Sequence, residues 1–192
     1  MIQAIIFDCF GVLAADGWLP FKRKYFSANQ DLFQRAGDLN KQVDSGLADY
    51  QEFIEQVASL AGITPKEARY QIEQNPAHTE VFDYIKNDLK PKYKIGLLSN
   101  SGANWLPELF TSEQIKLFDA IALSYETGIT KPDPRAYQII AQRLAVDPVD
   151  CIFIDDQDRF CTSAQDAGMQ AIVYQTLPHL QADLKKILAK QR

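Results

Sequence analysis

Five short runs of the chain, residues 4–7, 95–98, 120–123, 151–154 and 171–174, are apolar almost without interruption. Runs of this length that fail to alternate suit parallel strands buried on both faces. Between the later runs, apolar positions recur at helical spacing. Residues 134–144 set Ala136, Ile139, Ile140 and Leu144 on one stripe. One or two short helices are expected within 107–118, and residues 163–167 belong to a helix that Gly168 stops. Residues 177–190 predict a terminal helix with basic residues at its end, where they suit the helix dipole. Strand and helix alternate, so the pattern predicts an α/β fold with a doubly wound parallel sheet.

Residues from about 15 to 88 follow a different rule. Stretches 31–44, 49–61, 65–75 and 79–89 have helical spacing, with Gly46 and Gly62 as stops and Thr64-Pro65 with Glu67 as a start signal. No strand interrupts them, so a helical insertion is expected after the first strand.

Length, charge and cysteine content narrow the picture. At 192 residues the chain is long for one typical domain and short for two. Its formal charge is −5, with no basic block, which argues against nucleic acid and anionic membrane as partners. No apolar run approaches the roughly 18 residues of a membrane span, and the start lacks the basic region of a signal peptide. Cys9, Cys151 and Cys161 form no CxxC pair, which predicts a reducing, cytoplasmic setting. There is no GxxxxGK[ST] loop for a nucleotide.

In open α/β sheets ligands bind outside the carboxyl ends of the strands, so the residues just past each run are the candidates for chemistry. Asp8 follows the first run, placed to serve as nucleophile or metal ligand, and Gly11 allows a tight turn behind it. Ser99, with Asn100, Ser101 and Gly102, follows the second; a hydroxyl and successive N–H groups there suit a phosphate or carboxylate. Lys131 sits just before the rigid Pro132-Asp133-Pro134 turn and can hold a fixed positive charge. Asp155 and Asp156 follow the fourth run; adjacent carboxylates repel and call for a cation, and oxygen ligands suit Mg²⁺. Each signal also has an ordinary explanation as a cap, a turn or a solvated side chain. Their order along the chain is far more specific than any one alone.

The stretches IIFDCFGVL, IGLLSNS, GITKPDPRAYQ and FIDDQDRFCTSAQDAGM together resemble the haloacid dehalogenase-like hydrolase superfamily over essentially the whole chain. The resemblance implies a Rossmann-like core of residues 1–14 and 89–192, with 15–88 as a small helical cap. It implies Asp8 as a nucleophile that forms an aspartyl-phosphate, with Ser99 and the Asn100 backbone N–H binding the phosphoryl group. Lys131 would neutralise charge shared by Asp8 and the phosphate. Mg²⁺ would be held by Asp8, the Phe10 backbone carbonyl and Asp156, with Asp155 acting largely through water. The implied substrate is a small phosphorylated metabolite.

Two positions depart from the pattern. Phosphatases of this family carry a second Asp two residues past the nucleophile, as general acid/base; here Phe10 stands in its place. Phe10 keeps the backbone carbonyl and loses the proton donor, at a cost of roughly 10²–10⁴-fold in rate. Phe160 occupies a place where many relatives carry Asn. An aromatic at position 10 also fits a 2-haloacid dehalogenase, although Asp155 and Asp156 would repel an anionic substrate unless a metal neutralised them. A phosphate-binding protein whose catalysis has decayed is the third reading. Asp16, next to Gly17 as a flexible hinge, is a candidate replacement acid. Trp18, Phe21, Tyr25 and Phe26 are expected to pack as core, and Cys9 to point away from Asp8.

Overall fold

The computed structural model describes residues 1–189. After β1 (Ala4–Phe7) the chain forms α1 (Trp18–Phe26), α2 (Gln30–Asp44), α3 (Tyr50–Ala61), α4 (Pro65–Ile72) and α5 (Thr79–Tyr84), the last continued by a π-helical turn, Ile85–Leu89. Then come β2 (Lys94–Ser99), α6 (Leu106–Leu109), α7 (Ser112–Ile115), β3 (Ala120–Leu123), the single turn α8 (Ser124–Thr127) and α9 (Pro134–Leu144). β4 (Cys151–Asp155), α10 (Asp158–Asp166), β5 (Gln170–Val173) and α11 (Leu177–Ala189) complete it. The expected end of the last helix, Lys190, lies outside the described residues.

The five strands make one parallel sheet in the order β3-β2-β1-β4-β5. Successive side chains alternate between its faces. Ile5, Phe7, Ile95, Leu97, Ile152 and Ile154 point to the side covered by α5, α6 and α11. Ala4, Ile6, Leu98, Ala122 and Phe153 point to the side covered by α9 and α10. Both faces are therefore dry, which is why the strands read as unbroken apolar runs. β1 lies at the centre, with β2 and β3 added on one side of it and β4 and β5 on the other, so the crevice at its carboxyl end is where a ligand is expected.

Helices α1 to α4 bury a separate core, with Phe21, Phe26, Phe53, Ile54 and Val57 at its centre. Their boundaries follow local chemistry. Asp49 caps α3 by accepting from the Gln51 and Glu52 N–H groups, and Gly62 ends it at φ +68°. Thr64 and Glu67 form a reciprocal capping box at the start of α4. The fourth helix stops at Ile72 and not at residue 75, because the Asn75 side chain takes over: it donates to the Ile72 carbonyl at 3.1 Å and accepts from the Gly17 N–H at 2.7 Å. Gly17 is thus clamped at the closing point of the block and is no free hinge. A Cβ there would stand 2.3 Å from the Ile72 carbonyl oxygen. Val81, Phe82, Ile85 and Leu89, at the end of the long helical stretch in the sequence, pack under the sheet and not with α1–α4. No helix among the described residues is long and apolar enough to cross a membrane.

Candidate active site

The site grows from the register of the sheet. Phe7 pairs with Leu97 on one side and Ile154 on the other, and the Asp8 N–H extends the ladder to the Ile154 carbonyl at 2.9 Å. Asp8 and Asp155 therefore emerge side by side. Lys131 Nζ lies between them, donating to Asp8 Oδ1 at 2.7 Å and to Asp155 Oδ2 at 2.6 Å. The ammonium also sits 5.2 Å from the ring centre of Phe153 and 4.8 Å from that of Phe160. Phe160 thus closes the dry side of the lysine, a role its position in the sequence did not suggest. Lys131 is 3 % exposed and Asp155 is fully buried.

The loop that carries Lys131 is fixed by Asn100. The Lys131 N–H donates to Asn100 Oδ1 at 2.8 Å, and Asn100 Nδ2 donates to the Lys131 carbonyl at 3.0 Å. The sequence pointed to the Asn100 backbone; its side chain is the part with defined work here. Ser99 ends β2 buried, and its hydroxyl makes one long bond, 3.3 Å to the Asn100 carbonyl.

Asp156 completes an acidic cluster. One oxygen each from Asp8, Asp155 and Asp156 lie within 4.8 Å of one another. Both oxygens of Asp155 are engaged, Oδ1 accepting the Gln157 N–H at 2.9 Å and Oδ2 held by Lys131. Asp156 Oδ1 is buried with no hydrogen-bond partner. Its carboxylate fits against Gly11, at φ +88°, where a Cβ would come within 2.6 Å of Asp156 Cγ. No N–H among the described residues takes up the Phe10 carbonyl.

With all three carboxylates ionised, the one ammonium would leave two negative charges uncompensated, and the site resists that state. Burial pushes Asp8 up to about 8, with Lys131 opposing and Asp155 adding to the rise. Burial also lifts Asp156 to about 6, helped by Asp155 and Asp16. Burial alone would lower Lys131, but Asp155 and Asp8 outweigh it and hold the ammonium above its ordinary range. The orphaned oxygen, the notch at Gly11 and an all-oxygen donor set fit a hard divalent cation such as Mg²⁺.

Over this floor lies a cavity of about 1150 Å³ roofed by the helical block. Asp8, Phe10, Asn100 and Lys131 line it from the sheet side, and Asp16, Asp44 and Tyr50 from the other. Tyr50 meets Trp105 edge-on at 4.8 Å, joining roof to floor. Trp18, Phe21, Tyr25 and Phe26 pack among themselves as expected of a core. Trp18 also reaches the cavity wall. Cys9, next to Asp8, is buried, and its carbonyl accepts from the Leu13 and Ala14 N–H groups at 2.8 and 2.9 Å. Cys9, Cys151 and Cys161 are all free and buried. The structure adds Asp44 to the residues around the cavity and makes Ser124, the polar residue that follows the third apolar run, a hub between loops. An acid on the last turn of a helix opposes the dipole, and that signal at Asp44 was available in the sequence.

An open parallel sheet with an acidic, lysine-braced centre at its carboxyl end defines an α/β enzyme of the doubly wound class. The family model for haloacid dehalogenase-like hydrolases matches residues 2–168, and the chain belongs to that family. It is similar to Phosphatase MT3486 of Mycobacterium tuberculosis (strain CDC 1551 / Oshkosh), at 28% identity over 88% of this chain and 86% of that protein. D-ribitol-5-phosphate phosphatase of Bacteroides thetaiotaomicron is 28% identical over 81% of this chain and 84% of that one. Among solved structures, a HAD family enzyme of Bacteroides thetaiotaomicron, crystallised with magnesium and inorganic phosphate, superposes with a TM-score of 0.70. It is 25% identical, and the match covers 94% of this chain and 99% of that one. The chain is a hydrolase of this family, with relatives named phosphatases.

Proposed function

We propose that the protein is a Mg²⁺-dependent phosphatase of small phosphorylated metabolites that works through an aspartyl-phosphate on Asp8. The observation that carries this reading is the unpartnered, buried Asp156 Oδ1 beside Asp8, in a cluster that needs two further positive charges when its carboxylates are ionised. Asp8, Asp156 and the Phe10 carbonyl would hold the ion, with Asp155 bracing Lys131 and reaching the ion through water. When bound, Mg²⁺ supplies the charge that lets an anionic phosphate approach an anionic carboxylate. Lys131 Nζ keeps Asp8 Oδ1 oriented, and the Ser99 hydroxyl and Asn100 N–H cradle phosphate oxygens. Helices α1–α4 act as a lid that excludes water, while α5 packs under the sheet. Three buried free thiols suit a cytoplasmic setting.

The test is hydrolysis of 4-nitrophenyl phosphate and of 2-haloacids, with and without Mg²⁺, alongside calorimetric titration of Mg²⁺. Wild type is expected to bind Mg²⁺ and to turn over the phosphate ester only in its presence. Asp8→Asn is expected to abolish turnover, and Asp156→Asn to abolish binding. Metal-independent halide release would overturn the proposal in favour of the dehalogenase that an aromatic at position 10 also fits.

A further inference from the structure

Phe10 leaves the phosphatase reading without a proton donor for the leaving group. We infer that Asp44, at the end of α2 in the helical block, is that donor, an inference that rests on the phosphatase reading and deepens it. Asp44, Phe10 and Asp8 line one cavity. Asp44 is also fastened to the sheet side. Ser124 Oγ accepts the Ser101 N–H at 2.8 Å, and its hydroxyl faces the Asp44 and Ser101 carbonyls. Next to it Gly102 comes so close to α2 that a Cβ would lie 2.3 Å from Val43 Cγ1 and 2.9 Å from the Val43 carbonyl oxygen. The end of α2 is therefore seated on the loop that follows Ser99. A proton donor carried by the lid needs such an anchorage, because a loosely held acid loses its geometry.

The carboxyl group itself is suitably disposed. Asn40 Nδ2 donates to Oδ2 at 2.8 Å, and Oδ1 accepts no hydrogen bond among the described residues. Burial raises Asp44 to about 7, with Asp16 adding and Lys131 and Asn40 opposing. The carbonyl end of α2 acts in the same direction. Asp16 and Lys131 are the ionisable groups facing it across the cavity. Lys41 on its own helix, Lys22 on α1 and Tyr50 on α3 line other parts of the same wall. Glu126 on α8 is turned to Arg143 at 3.1 Å. Asp16 is the weaker candidate, since its Oδ1 accepts the Trp18 and Leu19 N–H groups at 2.9 and 3.3 Å, bonds that favour the ionised form.

In the first half of the cycle an Asp8 oxygen bonds to phosphorus and the ester P–O bond breaks. The Asp44 proton passes to the departing alkoxide, releasing an alcohol and leaving Asp44 ionised. In the second half water attacks the phosphorus of the acyl phosphate and its proton returns to Asp44. Inorganic phosphate leaves, Asp8 is restored as a carboxylate, and the sum is ester plus water to alcohol plus phosphate.

The experiment compares wild type, Asp44→Asn and Asp8→Asn on glycerol phosphate and 4-nitrophenyl phosphate, with stopped-flow detection of the nitrophenolate burst. Asp44→Asn is expected to slow glycerol phosphate about 10²–10⁴-fold, because an alkoxide needs a proton. Its nitrophenolate burst should slow less than about tenfold, since that leaving group needs little protonation. In wild type the kcat/KM for glycerol phosphate should fall above about pH 7, and this limb should vanish in Asp44→Asn. Carbon-detected NMR should show a carboxyl titrating near 7 that is missing from Asp44→Asn. Equal loss on both substrates, no loss on either, or an Asp44 carboxyl titrating near its free value would overturn the inference while Asp8-dependent turnover stands. A wild type with no Asp8-dependent burst would overturn the phosphatase reading, and this inference with it.

Discussion

A methyl group on Gly11 would occupy the space filled by the Asp156 carboxylate, 2.6 Å from its Cγ. The same residue sits at φ +88°, a conformation that costs a non-glycine residue about 1–2 kcal/mol. Gly11→Ala is therefore expected to lower the melting temperature and to weaken Mg²⁺ binding at least about tenfold, checked by calorimetry in the absence and presence of the ion. Residues of this kind divide sharply by legibility. Asp8, Ser99, Lys131 and Asp156 stand out as candidates in the sequence, because each stands next to an apolar strand or a rigid proline turn and the four occur in a specific order. The Asn100 side chain does not. Its partner is the backbone of Lys131, 31 residues away, and no local pattern records that pairing. Phe160 departs from the family pattern in the sequence, and in the structure its ring lies over the Lys131 ammonium.

Among elements, the strands were legible to within a residue, since a sheet dry on both faces leaves an unmixed apolar signature. Helix ends were less so. Periodicity carried the fourth helix to residue 75, but Asn75 spends its amide on the Ile72 carbonyl and the Gly17 N–H, and the helix ends there. Periodicity also could not separate α4 from α5, which serve different cores. The junction between helical block and sheet depends on Ser124, the residue after β3, whose hydroxyl serves the loop after β2 and the last residue of α2. Ser124→Ala leaves the buried Ser101 N–H without its acceptor, a loss of about 1–3 kcal/mol. Chemical denaturation should register that loss with an unchanged m-value. On the proposed function, the KM for a phosphate ester should rise as the α2 end loosens from the loop after Ser99.

For the molecule as a whole, charge and burial are in tension. Asp8 is pushed up to about 8 and Asp44 to about 7. Both keep protons in the folded protein after the unfolded chain, titrating near roughly 4, has lost them. The folded state binds more protons across that window, so the contribution of these groups to stability is greatest below about pH 4 and is lost as pH rises toward 8. In EDTA the melting temperature is expected to be lower at about pH 8 than at about pH 5.5, and Asp44→Asn should flatten that slope. Added Mg²⁺ should raise it more at the higher pH, because binding at the lower one must first displace protons. Scanning calorimetry at both pH values checks each expectation.

The three free thiols acquire a use from their placement. Cys9 lies behind the proposed nucleophile, Cys151 begins β4 and Cys161 lies within α10. Burial, the largest influence on each, holds Cys9 well above its ordinary range and pushes Cys151 and Cys161 up to about 12, so none presents a thiolate to solvent at neutral pH. An alkylating reagent can reach them only when the surrounding structure opens. The native chain thus carries its own set of clocks: the rate at which each sulfur is capped reports how often the carboxyl end of β1, the base of β4 and the helix behind the acidic pair come apart.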